Sequence, residues 1–237
     1  MKIVIFDDDP TGSQTVSGCP LLLSWDQQAL INGLNHSSSL LFLLTNTRSM
    51  SVDLAENRIR QTCQTVDNAL KEAGFCLEDI FFVSRGDSTL RGHGVLEPEI
   101  INQILGPFDA TFHIPAFLEG GRTTVNGVHL LHGYPVHNTE FGRDRNFGYS
   151  TSALDSWLEE KSNGVIASRN VVRISIQLLD EAEQSAIGMK RLLHYLIELS
   201  DNKPVVVDAE RPSQLAVLGK AVRSLQVEKR FLFRSAA

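Results

Sequence analysis

The sequence predicts an α/β fold of three layers: a mostly parallel, Rossmann-like sheet with helices on both faces, plus an irregular central loop or small lobe. Three observations carry this reading. Short apolar runs recur along the chain and are continuous rather than alternating, as in strands covered on both faces. Helical periods lie between many of them, which is the order of βαβ units with right-handed crossovers. The chain of 237 residues, 42% hydrophobic and 21% charged, is long enough to bury a sizeable core without disulfide or metal staples.

Strands are expected at residues 2–6, 20–24, 40–44, 80–84, 111–114, 171–176, 204–207 and 231–233. The clearest helix spans 51–73, where Ala55, Ile59, Cys63, Val66, Leu70 and Ala73 share one face and Gly74 marks the stop. A capping box, Ser152-Ala153-Leu154-Asp155, opens another that runs through 160. Further helices are expected at 97–105, 181–199 and 213–225. Residues 115–149, rich in Gly, His, Thr and Asn, hold no steady period and are long for a passive connection. With no repeat, low-complexity tract or linker, residues 1–237 read as a single domain.

The net charge of −6 argues against nucleic acid and anionic membranes as partners, because phosphate binding needs clustered positive charge. A small molecule is the expected partner. Cys19, Cys63 and Cys76 are too few and scattered for a disulfide framework or zinc knuckle and read as reduced, buried thiols. The apolar start is too short for a secretory signal, and no run approaches the length of a membrane helix, so a cytoplasmic location is expected. His129, His132 and His137 match no zinc spacing and read as surface or loop residues.

Ligands of open α/β sheets bind beyond the carboxyl ends of the strands. The first strand ends in Asp7-Asp8-Asp9-Pro10-Thr11-Gly12-Ser13 and the third in Thr45-Asn46-Thr47-Arg48. The fourth ends in Arg85-Gly86-Asp87-Ser88-Thr89-Leu90-Arg91-Gly92, and the strand at 204–207 in Asp208-Ala209-Glu210-Arg211. Three adjacent acids repel unless a cation, a donor cluster or protonation relieves them. Arginine forks suit carboxylates and phosphates, and Asp, Ser and Thr suit polyol hydroxyls. No nucleotide-binding loop of the Walker or Gly-x-Gly-x-x-Gly type is present.

At these residues the chain resembles the N-terminal domain of the four-carbon acid sugar kinases. The family's Asp-Asp-x-Thr-Gly is Asp8-Asp9-Pro10-Thr11-Gly12, and its Asp-Ser-Thr-Leu-Arg-Gly stands intact from Asp87 to Gly92. Thr45-Asn46-Thr47-Arg48 matches Thr-x-Ser-Arg loosely. Pro115-Ala116-Phe117, Gly121-Arg122-Thr123-Thr124 and Asn126-Gly127 resemble the long middle loop, and the closing Phe231 to Ala237 resembles the domain end. Asp7 adds a third acid, and Arg85 stands where many relatives carry Lys.

The resemblance implies a domain that holds a four-carbon sugar acid of the threonate/erythronate or 3-oxo-tetronate type for phosphorylation. ATP and Mg²⁺ are implied as cofactors, with the nucleotide site on a further domain outside this chain, in cis or trans. A homodimer stays open. Asp8 and Asp87 are the implied catalytic bases, with no choice between them. Asp9, Thr11, Gly12, Arg48, Arg85, Ser88, Thr89, Arg91 and Gly92 are the implied substrate contacts. Two other readings stand beside this one. Ile3 to Thr11 also fits the opening motif of haloacid dehalogenase phosphatases, with Asp7 as nucleophile, Asp9 as acid/base and Mg²⁺ bound; a stand-alone sugar-acid binding module is the other.

Overall fold

A computed structural model describes residues 2–12 and 16–236; Ser13 and Ala237, which belong to two of the motifs above, lie outside them. In chain order the main elements are β1 (Lys2–Asp7), β2 (Leu21–Leu22), α1 (Gln27–Leu34), β3 (Leu40–Leu44), α2 (Val52–Ala73), β4 (Ile80–Arg85), α3 (Leu96–Leu105), β5 (Ala110–Ile114), β6 (Arg122–Val125), β7 (Val128–Leu131), β8 (Tyr134–Pro135), α4 (Leu154–Lys161), β9 (Val172–Ile174), α5 (Ile176–Gln184), α6 (Ala186–Ile197), β10 (Lys203–Val207), α7 (Pro212–Ser224) and β11 (Phe231–Ser235).

Eight strands form one parallel sheet in the order β2-β3-β1-β4-β11-β5-β10-β9. The chain winds from β1 toward one edge and then returns past β1 to build the other half. That reversal is the switch point at which such sheets open a crevice. The last strand, β11, is inserted between β4 and β5 and joins the halves.

Alternation along the strands sorts the core into layers. Val4, Phe6, Leu41, Leu43, Phe82 and Leu232 pack against Ile59, Cys63, Val66 and Leu70 of α2 and against Ile100, Ile101 and Leu105 of α3. Phe112, Val205, Val207 and Phe231 pack on the opposite side against Leu179, Leu192, Leu196, Leu218 and Val222 from α5, α6 and α7. Each Leu or Phe withdrawn from water in this way contributes about 1.5–3 kcal/mol. Val206, which alternates with Val205 and Val207, joins Trp157 and Leu158 of α4 in a third cluster beside α3.

The expected class is therefore the observed one, and residues 115–149 form a small lobe around the antiparallel sheet β6-β7-β8. Several expectations are corrected. Helix α1 was not legible: it is short, contains Gly33, and shows itself only by the Asp26 cap, whose side chain accepts from Ala29 N, and by Leu30 and Leu34. The helix expected at 181–199 is two helices, because Ser185 is extended and its hydroxyl caps Gly188 N to start α6. The strand expected at 171–176 stops at Ile174, where Ser175 becomes the N-cap of α5. Ser152 does not cap α4; its hydroxyl accepts from His137 N at 2.9 Å and the cap position is Ala153. Cys63 is buried as expected, whereas Cys76 is exposed and Cys19 half-buried. His129 is completely buried, against expectation. Among the described residues no helix is long and apolar enough to cross a membrane.

Candidate functional site

Strand register aligns Asp7 with Leu44 on one side and Arg85 on the other, and Arg85 with Ser235. The segments that follow therefore emerge along one edge, beside the switch point. Repulsion within Asp7-Asp8-Asp9 is relieved by guanidinium groups from three other strand ends. Asp7 Oδ1 accepts from Arg85 Nη1 at 3.1 Å. Asp8 Oδ1 accepts from Arg48 Nη2 at 2.6 Å, and its Oδ2 from Arg234 Nη2 at 3.4 Å. Asp9 Oδ2 lies 3.3 Å from Arg48 Nη1, and its other oxygen accepts from Thr11 N at 2.8 Å.

These surroundings set different protonation behaviour for neighbouring acids. Burial raises the Asp8 carboxyl to about 6, helped by the nearby Glu97 charge and opposed by Arg234 and Arg48. Burial also raises Asp7, whose Oδ2 has no hydrogen-bond partner among the described residues. In Asp9 the upward push of burial is outweighed by the Thr11 hydrogen bonds and Arg48, so it stays below the usual carboxylate range.

The Asp87–Gly92 turn forms the facing wall. Asp87 Oδ2 accepts from Arg91 Nε at 2.7 Å and from the Thr89 hydroxyl. Burial pushes the Asp87 carboxyl up, but those donors, with Arg48 behind them, hold it below its ordinary value. Arg91 lies over the Phe141 ring at 4.9 Å, and its Nη1 is 3.7 Å from Asp144. Its Nη groups thus keep donors for a ligand, since a guanidinium carries five N–H bonds. Leu90 holds φ +66°, a strained conformation for a branched side chain that persists only where its surroundings enforce it.

The small lobe supplies that enforcement. His129 Nε2 bonds Ser88 O at 2.8 Å, and Tyr149 OH donates to Thr89 O at 2.6 Å. The turn is therefore gripped through its backbone, and the irregular segment has a structural reason to be present. Burial, ahead of other causes, lowers the His129 imidazole to about 4, so it is neutral in the folded protein.

The edge gathers Asp8, Asp9, Thr11, Gly12, Arg48, Arg85, Asp87, Thr89, Arg91 and Gly92 into this network. Ser88 sits in the turn, where it is its backbone carbonyl that is engaged. A side chain at Gly12 would meet the Arg85 guanidinium within 2 Å, at 1.6 Å from Nη1. Gly12→Ala is therefore expected to displace Arg85 from Asp7 and to weaken ligand binding at least tenfold, read by calorimetric titration; unchanged binding would show that Arg85 has no part in the site. At Gly92, φ is +87° and a Cβ would stand 3.0 Å from Asp8 Oδ2, so both space and backbone require glycine.

Sequence reasoning missed Arg234 and Glu97. Arg234 Nη1 donates to Glu97 Oε2 at 2.5 Å and Ser84 Oγ at 2.6 Å, while Thr47 Oγ1 donates to Glu97 Oε1 at 2.5 Å. The signals available were a charge inside the apolar run at 231–235 and Thr47 in its loosely matched motif. Asp208, by contrast, is placed apart from this cluster, accepting from Gly127 N at 2.8 Å beneath the small lobe.

The residues at this edge do not fit Mg²⁺ as its ligands. Asp7 and Asp8 are fully covered, each of the three acids already faces a guanidinium, and among the described residues no group of three His, Cys, Asp or Glu could hold a metal ion.

A parallel α/β sheet whose switch point carries interlocked arginines and carboxylates defines a domain with a preorganised polar site. The chain belongs to the sugar-binding N-terminal domain family, whose model matches residues 3–237. It is 27% identical over 151 residues to the D-erythronate kinase of Heliobacterium modesticaldum, covering 60% of this chain and 32% of that one. A domain of unknown function from Bordetella bronchiseptica, solved with bound citrate as a domain-swapped dimer, superposes with a TM-score of 0.69 at 21% identity, over 99% of this chain and 54% of that one. A Haemophilus influenzae protein gives the same TM-score at 17% identity, over 98% and 53%. The chain thus spans about a third of the curated relative and about half of the structural neighbours.

Proposed function

We propose that this chain is the sugar-acid-holding part of an ATP-dependent kinase for four-carbon sugar acids of the erythronate or threonate type. The observation that carries the reading is the set of three arginines, Arg48 beyond β3 and Arg85 and Arg91 at the end of β4, each fixed by a carboxylate: Asp8, Asp7 and Asp87 in turn. Such forks are rigid before ligand arrives, so a carboxylate binds without the entropy loss of ordering them. The name of the Heliobacterium relative supports the substrate class.

In this reading Arg91, with donors to spare, takes the substrate carboxylate together with Arg48. Asp87, whose side chain keeps 10% exposure where that of Asp8 has none and which is held ionised, accepts a hydrogen bond from the attacking hydroxyl and orients it; phosphoryl transfer asks mainly for such positioning and for charge stabilisation. Asp8 is covered by Arg48 and Arg234, so its part is to hold those arginines. ATP and Mg²⁺ then belong to a nucleotide-binding domain in cis or trans. The domain-swapped Bordetella relative supports a homodimer as the assembly. The phosphatase reading needs Asp7 open to attack a phosphate, whereas its carboxylate is fully buried against Arg85.

Titration of D-erythronate and D-threonate into the chain tests the proposal. Saturable binding is expected, weakened about 10–100-fold by Arg91→Ala, as befits a lost charge-assisted hydrogen bond of about 1.5–3 kcal/mol. Binding of neither acid would sink the proposal.

A further inference from the structure

Arg122, at the start of β6, differs from the arginines of the site in its partners. Arg48, Arg85, Arg91 and Arg234 each pair with an acid at 2.5–3.1 Å. The guanidinium of Arg122 pairs with none among the described residues. Its Nη1 donates to Gly120 O at 2.6 Å, its Cζ lies 5.9 Å from the centre of the Phe117 ring, and its Nε is buried without a hydrogen-bond partner. Propping the turn at Leu118–Gly120 explains Nη1. It explains neither Nε nor the charge, since a guanidinium carries five N–H bonds and a half-buried cation without a counter-ion is costly to hold.

The small lobe sets where this charge lies. Side chains alternate along a strand, so Arg122 and Thr124 share one face of β6. On that face Thr124 Oγ1 bonds His129 Nδ1 at 3.0 Å, and His129 Nε2 holds Ser88 O. The face that carries Arg122 is therefore the one turned toward Ser88, the neighbour of Asp87. Its charge is felt there: burial first, and then Arg122, keep the His129 ring unprotonated. Arg91 meets the lobe elsewhere, at Phe141 and Asp144.

A charged fork of N–H groups suits an oxyanion, either carboxylate or phosphate. The one carboxylate of a sugar acid is already taken by Arg91 with Arg48. The anion that remains is the phosphoryl group, which brings about 1.5–2 negative charges and three acceptor oxygens. It joins the acid at the hydroxyl that Asp87 orients, one residue from Ser88. Resting on the sugar-acid kinase reading, we infer that Arg122 is a binding residue for the phosphoryl group of the phosphorylated acid, offered by the small lobe.

Calorimetric titration of the whole chain with D-erythronate and its three monophosphates, each carrying phosphate on a different hydroxyl, decides the matter. The wild type is expected to bind one monophosphate about tenfold tighter than erythronate. Arg122→Met removes the charge and keeps much of the apolar stem. It is expected to weaken that monophosphate about 10–100-fold, as a lost charge-assisted hydrogen bond would, while erythronate affinity changes less than about twofold. Arg122→Lys, which keeps the charge without the fork, should recover part of the loss. Since the readout is a ratio within one protein, a general loss of stability does not imitate it. Equal losses for both ligands overturn the inference and give Arg122 to the acid itself or to the grip on the turn. No loss for either overturns it too, and leaves Arg122 as a prop for Gly120 O. A wild type that binds erythronate but gains nothing from phosphate overturns the inference alone, and one that binds none of these acids overturns the sugar-acid reading with it.

Discussion

Arg234→Met is expected to lower the unfolding free energy by about 3–5 kcal/mol, the cost typical of breaking a buried charge network by removing one partner. Arg234 is only 7% exposed and lies between Asp8 and Glu97, at 0% and 1%. Its loss leaves Glu97 buried without a cationic partner and Asp8 with Arg48 alone. Adding Glu97→Gln should restore a good part of the stability, since Thr47 and Ser84 can still bond an amide at that position. Urea denaturation of the two variants and the wild type measures this. A loss below about 1 kcal/mol for Arg234→Met would mean that the network is hydrated and does not anchor Asp8.

Arg234 also shows what the sequence could and could not disclose. The motifs at Asp8–Gly12 and Asp87–Gly92 were legible because strand ends are readable locally and the ligand edge of an open sheet follows from the class alone. Arg234 contacts Asp8 across 226 positions of sequence, and the contact exists because β11 is inserted beside β4. Strand order is a property of the whole chain, and no local period encodes it. The same limit hid the clamp on the turn: His129 read as a loop residue because residues 115–149 hold no steady period, while Ser88 and Thr124, which absorb its two nitrogens, come from the turn and from strand β6. Helix α1 failed for a different reason, since eight residues with an internal glycine carry too little pattern to outweigh a loop.

The protein is expected to lose about 3 kcal/mol of stability between pH 7 and pH 5, and the sign is set by histidine. The folded imidazoles of His113 and His129 are lowered to about 3 and about 4, chiefly by burial, from 6.5 in the unfolded chain. Below pH 6.5 the unfolded state therefore takes up protons that the folded state refuses, and each group removes about 1.4 kcal/mol per pH unit. Asp8 acts the other way. Its folded value of about 6 exceeds the unfolded 3.8, so below pH 6 the folded state binds the extra proton and regains stability at a similar rate. From pH 6.5 to 6 the two histidines act unopposed, and from 6 to 5 one of them is offset, which gives the total. Asp7 and Asp208, also raised by burial, extend the offset toward lower pH. His129→Gln, which stays neutral throughout, should remove about 2 kcal/mol of the acid loss, and Asp8→Asn should steepen the loss below pH 6. Denaturation midpoints measured at half-unit steps test both. Stability that is flat or rises as pH falls from 7 to 5 would mean that at least one of these histidines is protonated inside the fold.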